Sequence, residues 1–227
     1  MKTKKYVALF DLDNTIYNAH SFFQVVKWAI DKGRVSADVW TKTEEVLGRY
    51  KKAELTYSDA ANLLLDLFAS SLKGQKYLDL YEDVEFFSSN RKNFYLYFEK
   101  VLPALREKYD IYLVTTNAQY VAEAVVKQFN LTGFISSELD VVDGLFTGKV
   151  TKSLANGKDV VGELIKKYDH AKSIAVGDSE NDIGMIELVE NPLCINPSFE
   201  LKKYAEKKGW VVCTDESIAD ALLNILG

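Results

Sequence analysis

Cysteine is scarce in this chain: Cys194 and Cys213 are the only two, far apart and in no CxxC spacing. That argues against a disulfide framework or a thiolate zinc site and suits a reducing compartment, so the cytoplasm is the expected location. Histidine is equally rare, with His20 and His170 isolated from each other. No His/Cys cluster competes for a soft metal, and each histidine reads as a surface or capping residue. Three prolines, no repeats and no low-complexity tract leave nothing that marks a disordered linker. Long apolar runs are absent too. Behind the basic start MKTKK, the run from Tyr6 to Phe10 stops at Asp11. It is too short for a signal peptide's apolar region or a membrane span, so no membrane is expected. The 28 basic and 33 acidic residues are interspersed and sum to −5. Without basic residues gathered on one face, nucleic acid is not an expected partner.

What the chain does have is apolar mass, 48% of 227 residues, enough for one large domain or for a core with a smaller insert. Three short runs organise it: YVALF leads into Asp11, IYLV into Thr115, and SIAV into Gly177 and Asp178. Each is rich in β-branched or aromatic residues, alternates little and is followed by a helical pattern. These are the marks of parallel strands buried on both faces. LCI at 193–195 and WVVC at 210–213 read the same way. Helical spacing recurs at Val121, Ala124, Val125 and Phe129, at Val160, Val161, Leu164, Ile165 and Tyr168, and from Ile218 to Leu226. Strands alternating with helices predict an α/β, Rossmann-like three-layer sandwich with a mostly parallel sheet.

Two stretches break that alternation. Between Ile16 and Phe98 no buried strand is legible, whereas WTKTEEVLGRY, SDAANLLLDLFASSL and RKNFYLYFEKVL have helical patterns. An all-helical domain inserted after the first strand is expected over 16–98, with 1–15 and 99–227 forming the core. The second is VVDGLF at 141–146, where Asp-Gly between β-prone flanks predicts a hairpin.

The first strand runs into Asp11-Leu12-Asp13-Asn14-Thr15. In extended chain, residues i and i+2 point to one side, so both acids can face one pocket at the sheet edge where such folds bind ligands. Thr115-Thr116-Asn117 ends the second strand and offers hydroxyl and N–H groups to a phosphate oxygen. Taken alone, it reads rather as a helix N-cap, with Thr116 or Asn117 in that place. Lys158, at the head of a helical pattern, can neutralise a phosphoryl group as a point charge. Taken singly, it is an ordinary surface lysine. The third strand ends in Gly177-Asp178-Ser179-Glu180-Asn181-Asp182. Carboxylates at Asp11 and Asp178 suit a hard cation such as Mg²⁺. Each signal is weak alone, but parallel strands would bring all four to one edge.

With these motifs in this order, the chain resembles the haloacid dehalogenase superfamily, and more closely its phosphoserine-phosphatase-like branch. FDLDNT, LVTT, Lys158 and the Gly177–Asp182 block match its four motifs, and the helical insert resembles the cap domain of that branch. The resemblance implies a Mg²⁺-dependent phosphatase acting on a small phosphomonoester. Asp11 would be the nucleophile and Asp13 the general acid and base. Thr115, Thr116 and Lys158 would bind phosphate. Asp11, Asp13 through its backbone carbonyl, and Asp178 would hold the metal, with Asp182 and Asn181 behind them. A phosphotransferase or mutase would share every motif, and a non-catalytic phospholigand-binding protein would be expected to lack Asp11 or Asp13. Phosphoserine phosphatases grip their amino acid with a glutamate soon after the first motif and a cap arginine. Here the corresponding stretches, Ile16–Ser21 and Ala60–Leu65, contain no acid and no base respectively. Phosphoserine is therefore expected to be a poor substrate.

Overall fold

In the computed structural model, which describes residues 5–83 and 91–227, YVALF forms the middle strand of a seven-stranded sheet. Residues 1–4, and 84–90 of the expected insert, lie outside the described residues. The strands are β1 (Tyr6–Phe10), β2 (Tyr109–Ala118), β3 (Gly133–Val142), β4 (Leu145–Lys152), β5 (Ile174–Gly177), β6 (Asn191–Ile195) and β7 (Val211–Cys213). Their order is β4-β3-β2-β1-β5-β6-β7, and only β4 runs antiparallel to its neighbour. Successive side chains of β1 leave on opposite faces: Ala8 and Phe10 enter one apolar core, Val7 and Leu9 the other, all fully buried. A strand covered on both faces cannot alternate in polarity, which is why YVALF has no polar member. Helices on either side complete the three-layer, Rossmann-like α/β fold expected from the sequence.

Between β1 and α5 (Leu96–Lys108) stand α1 (Ser21–Asp31), α2 (Asp38–Lys51), α3 (Tyr57–Ser71) and α4 (Tyr77–Asp83). Among the described residues of this stretch no strand forms. Only isolated bridges occur, such as Tyr17 with Asp13 and Phe94. α3 opens on a capping box: the Thr56 hydroxyl accepts the Asp59 N–H at 3.1 Å, and the Asp59 carboxylate accepts the Thr56 N–H at 3.3 Å. This cap fixes where Tyr57 and Ser58 stand on the first turn. The hairpin forms at Asp143-Gly144, both at positive φ (51° and 78°), as a two-residue turn between Val142 and Leu145 requires. Its far strand docks on the insert through Gly74 N–H to the Phe146 carbonyl (2.8 Å) and Phe146 N–H to the Gln75 carbonyl (2.9 Å).

Two helical patterns are cut short. RKNFYLYFEKVL holds a 3₁₀ turn at Arg91–Asn93, and the α-helix starts only at Leu96. Phe94 and Tyr95 are diverted because Phe94 bridges Tyr17 and the Tyr95 N–H bonds the Ile16 carbonyl at 2.9 Å. α5 then runs across position 98–99, where the insert was expected to end. The pattern after Lys158 yields a 3₁₀ turn, Asp159–Val161, and the single-turn α7 (Gly162–Ile165). Tight bonds such as Tyr168 N–H to the Ile165 carbonyl (2.9 Å) end it and turn the chain back towards β5. Among the described residues no helix is long and apolar enough to cross a membrane.

Phe98 lies where α5 meets the sheet, fully buried, with its ring 5.1 Å from that of Phe10 and 5.3 Å from that of Phe129. Phe98→Ala leaves a cavity among rigid neighbours and is expected to cost about 3–5 kcal/mol. Chemical denaturation measures this directly, and a loss below about 1 kcal/mol would mean the neighbours collapse into the space.

Candidate active site

Asp11 follows β1 and remains stitched to the sheet, its N–H bonding the Val176 carbonyl of β5 at 3.0 Å. Leu12 points into the core, so Asp11 and Asp13 face the other way, as i and i+2 spacing requires. Asn14 then takes a left-handed conformation (φ 54°), and the N–H groups of Ile16 and Tyr17 turn back to the Leu12 carbonyl. An oxygen of Asp13 accepts the Ser21 N–H at 2.8 Å, which ties the acid to the start of α1.

Lys158 is buried (2% exposed), which rules out the ordinary surface lysine it could have been. Its ammonium donates to Asp11 Oδ1 and, at 2.8 Å, to Asp182 Oδ1. The other oxygen of Asp182 accepts the N–H groups of Asp178 and Ser179, each at 3.0 Å. A Cβ on residue 177 would sit 2.5 Å from the Asp182 side chain, so glycine is required there by close approach. Asp182 thus holds Lys158 with one oxygen and shapes the loop after β5 with the other.

On the β2 side, Thr116 and Asn117 do not cap α6 (Gln119–Phe129); Ala118 occupies the N-cap position without a side-chain bond. Asn117 instead donates to the Ser21 hydroxyl at 2.8 Å, linking β2 to α1. Thr115 is 1% exposed, and its hydroxyl accepts the Asn117 N–H at 3.1 Å.

These elements enclose a cavity of about 80 Å³ lined by Asp11, Asp13, Thr116, Lys158, Asp178 and Asn181, together with Asn14, His20, Tyr57 and Ser179. Thr115 and Asp182 stand behind its wall. A larger cavity, about 310 Å³, shares Asp13, His20, Tyr57 and Thr116 with the first, so those four residues stand at the junction. Sequence reasoning left His20 as a surface or capping residue and offered Tyr57 only as one of six aromatics of the expected insert (Phe22, Phe23, Trp28, Trp40, Tyr50, Tyr57) from which a pocket wall could be drawn. His20 lies five residues beyond Thr15, in the Ile16–Ser21 stretch where the resemblance places a substrate-binding acid. Nothing local separates Tyr57 from those other aromatics, since only the docking of α3 brings it over Lys158.

Carboxylate oxygens of Asp11, Asp178 and Asp182 can lie within 4.8 Å of one another. Burial, followed by the opposing pull of Lys158 and the push of Asp182 and Asp13, raises the Asp11 pKa to about 7. Burial and the Asp11 charge raise Asp178 to about 9. Burial also raises Asp13, against its bonds from Ser21. Lys158 moves the other way: burial disfavours its charge, yet Asp11 and Asp182 hold its pKa above the usual lysine value. One ammonium faces several acids, so the site is short of positive charge. An all-oxygen donor set short of positive charge fits a hard divalent cation. Asp182 is already engaged by Lys158 and two N–H groups, which leaves Asp11 and Asp178 as the carboxylates able to hold one.

Residues 8–187 match the haloacid dehalogenase-like hydrolase family, and the chain belongs to it. Among its relatives is a histidinol-phosphatase of Neisseria meningitidis, 28% identical over 92% of this chain and 98% of that protein. A phosphoserine phosphatase of Mycobacterium tuberculosis is 29% identical over 45% of this chain and 35% of its own. In structure, the chain superposes on a protein of unknown function from Bordetella pertussis with a TM-score of 0.76 and 26% identity, covering 93% and 99% of the two chains. A phosphoserine phosphatase solved as a phospho-aspartyl intermediate analogue shares the fold at a TM-score of 0.63 and 20% identity, covering 94% of each chain.

The raised acids set the pH response of the metal-free protein. Folded Asp11 and Asp178 hold protons that the unfolded chain releases above its carboxyl pKa of 3.8. The folded state therefore binds more protons in that window, and stability falls as pH rises from about 4 to about 9. Denaturation in excess chelator should show less stability at pH 8.5 than at pH 5.5. A rise over that interval would contradict the charge deficit.

Proposed function

We propose that this chain hydrolyses a small phosphomonoester through a phosphorylated Asp11, with Mg²⁺ as its cofactor. The observation that carries this reading is the buried Lys158 ammonium held on Asp11 at the rim of a small cavity that Asp13 and Asp178 also line. A carboxylate, a cation and a second acid then converge where a phosphoryl group would sit. The Asp11 carboxylate attacks phosphorus, and the bond from phosphorus to the ester oxygen breaks. Asp13, a carboxyl whose pKa burial raises, passes its proton to the departing alkoxide. It then takes a proton from water as that water attacks phosphorus, which frees phosphate and restores Asp11.

Lys158 and the Thr116 N–H would stabilise the equatorial oxygens in both displacements. Thr115, behind the wall, would act through the loop, its hydroxyl accepting the Asn117 N–H and holding the turn that presents the Thr116 N–H. Asp182 acts through Lys158, and Asn181 lines the wall beside it. Asp11, Asp178 and the Asp13 backbone carbonyl would hold Mg²⁺, which supplies charge compensation between an anionic ester and a carboxylate nucleophile. The helices of 16–98 would act as a cap that closes the site, with 1–15 and 99–227 as the core. Contacts between α3 and the loop before Lys158 support this: the Ser58 hydroxyl bonds Asn156, and the Ser153 hydroxyl bonds Asn62 at 2.6 Å. Relatives named as phosphatases favour water over a second alcohol as the acceptor.

Asp11→Asn keeps the side chain's volume and removes its negative charge. It should stay folded and lose turnover, and excess chelator should silence the native protein. Clear hydrolysis by pure Asp11→Asn protein would rule out the nucleophile.

Asp13→Asn should slow an alkyl ester by about 10²–10⁴-fold. An aryl ester, whose leaving oxide needs no proton, should lose far less. Parallel kcat measurements on the two ester types decide it, and equal losses would restrict Asp13 to holding the metal.

A further inference from the structure

The larger cavity opens from the junction of Asp13, His20, Tyr57 and Thr116, on the side of the proposed phosphoryl site where the ester's alcohol must leave. Its chemistry differs sharply from that of the phosphate end. Phe22, Phe23, Tyr50 and Tyr57 form an aromatic wall, and Leu64 and Leu65 of α3 stand among the aliphatic residues that complete it. No lysine, arginine or glutamate lines it among the described residues, and Asp13, the proposed proton donor, is its one carboxylate.

The aromatic wall is braced. Phe22 and Phe23 meet edge-to-face at 5.6 Å, Phe22 leans on Phe68 at 5.8 Å, and Phe23 meets His20 at 5.9 Å and Trp40 at 6.4 Å. Rings locked by neighbouring rings give a pre-formed surface rather than one that must rearrange around a polar guest. At about 310 Å³ the space is several times what a hydroxymethyl or glyceryl group fills. Ala60 and Ala61, in the stretch where the resemblance expected a carboxylate-binding arginine, face this cavity with methyl groups.

We propose that the leaving group is an uncharged arylalkyl alcohol, its ring seated against Phe22, Phe23 and Tyr57 and its oxygen beside Asp13. The proposal rests on the phosphomonoester hydrolase reading above and gives it a substrate class. A carboxylate on the alcohol would find neither lysine nor arginine on this wall, with His20 at the junction its one basic side chain, and an ammonium would find only the acid needed for proton transfer. Their desolvation would go uncompensated. A ring gains by leaving water and by edge-to-face contact, both available here.

The test compares kcat/KM of the full chain with Mg²⁺ on 2-phenylethyl phosphate, glycerol 3-phosphate and O-phosphoserine. 2-Phenylethyl phosphate should lead phosphoserine by on the order of 10²-fold or more. Calorimetry with the non-hydrolysable 2-phenylethylphosphonate should show binding that Phe23→Ala weakens. The same variant, with its fold checked by its melting curve, should narrow the phenylethyl-over-glycerol ratio by roughly tenfold. Phosphoserine or glycerol 3-phosphate in the lead overturns this proposal alone, as does a ratio indifferent to Phe23→Ala. No turnover of any ester overturns the hydrolase reading and this proposal with it.

Discussion

The Lys158 ammonium, buried between Asp11 and Asp182, is the contact on which the site depends. Two strand ends, those of β1 and β5, deliver acids to one edge of the sheet, and such a cluster repels itself wherever water is excluded. Lysine offsets part of that repulsion and at the same time fixes where each acid points. A buried ion pair adds little net stability, because desolvating the partners consumes much of the Coulomb gain. Removing one partner, by contrast, strands a buried charge at a cost of about 3–5 kcal/mol. The arrangement is therefore best understood as geometry maintained at some energetic cost. Gly177 belongs to the same constraint, since Asp182 reaches Lys158 only because residue 177 has no side chain.

That constraint extends into α3. Lys158 sits at the end of a loop whose Ser153 and Asn156 are bonded to α3 by Asn62 and Ser58. On the same helix, Tyr57 hangs over the cavity that holds Asp11 and Lys158. Burial, the largest influence, keeps its phenol protonated well above the usual range, against the pull of Lys158. The position of α3 and the position of the lysine are thus mechanically linked. A single displacement of α3 would move Tyr57 and the α3 side of the larger cavity together with the loop that carries Lys158.

Much of this was legible in the residues. YVALF, IYLV and SIAV announced buried parallel strands because a strand covered on both faces has no polar side to hide. Asp143-Gly144 announced its turn because few other dipeptides accept positive φ twice. The acid motifs were legible because they follow strands directly. β3 was harder to recognise, since Ser136, Ser137, Glu138 and Asp140 interrupt its apolar character and its role is set by pairing with β2 and β4. The break at Phe94-Tyr95 depends on a partner at Ile16-Tyr17, which no local pattern reveals. Tyr57 shares that difficulty: it reaches the site through the docking of α3, whose Ser58 and Asn62 are fastened to Asn156 and Ser153 far along the chain.

The central claim is that Asp11 carries the phosphoryl group during turnover. Acid quenching during steady-state hydrolysis, borohydride reduction and peptide mapping by mass spectrometry test it directly. An acyl phosphate at Asp11 is reduced to homoserine at position 11, and Asp11→Asn protein treated alike remains unchanged. Homoserine at Asp13 or Asp178 instead, or an unmodified Asp11 while phosphate is being released, would contradict the account.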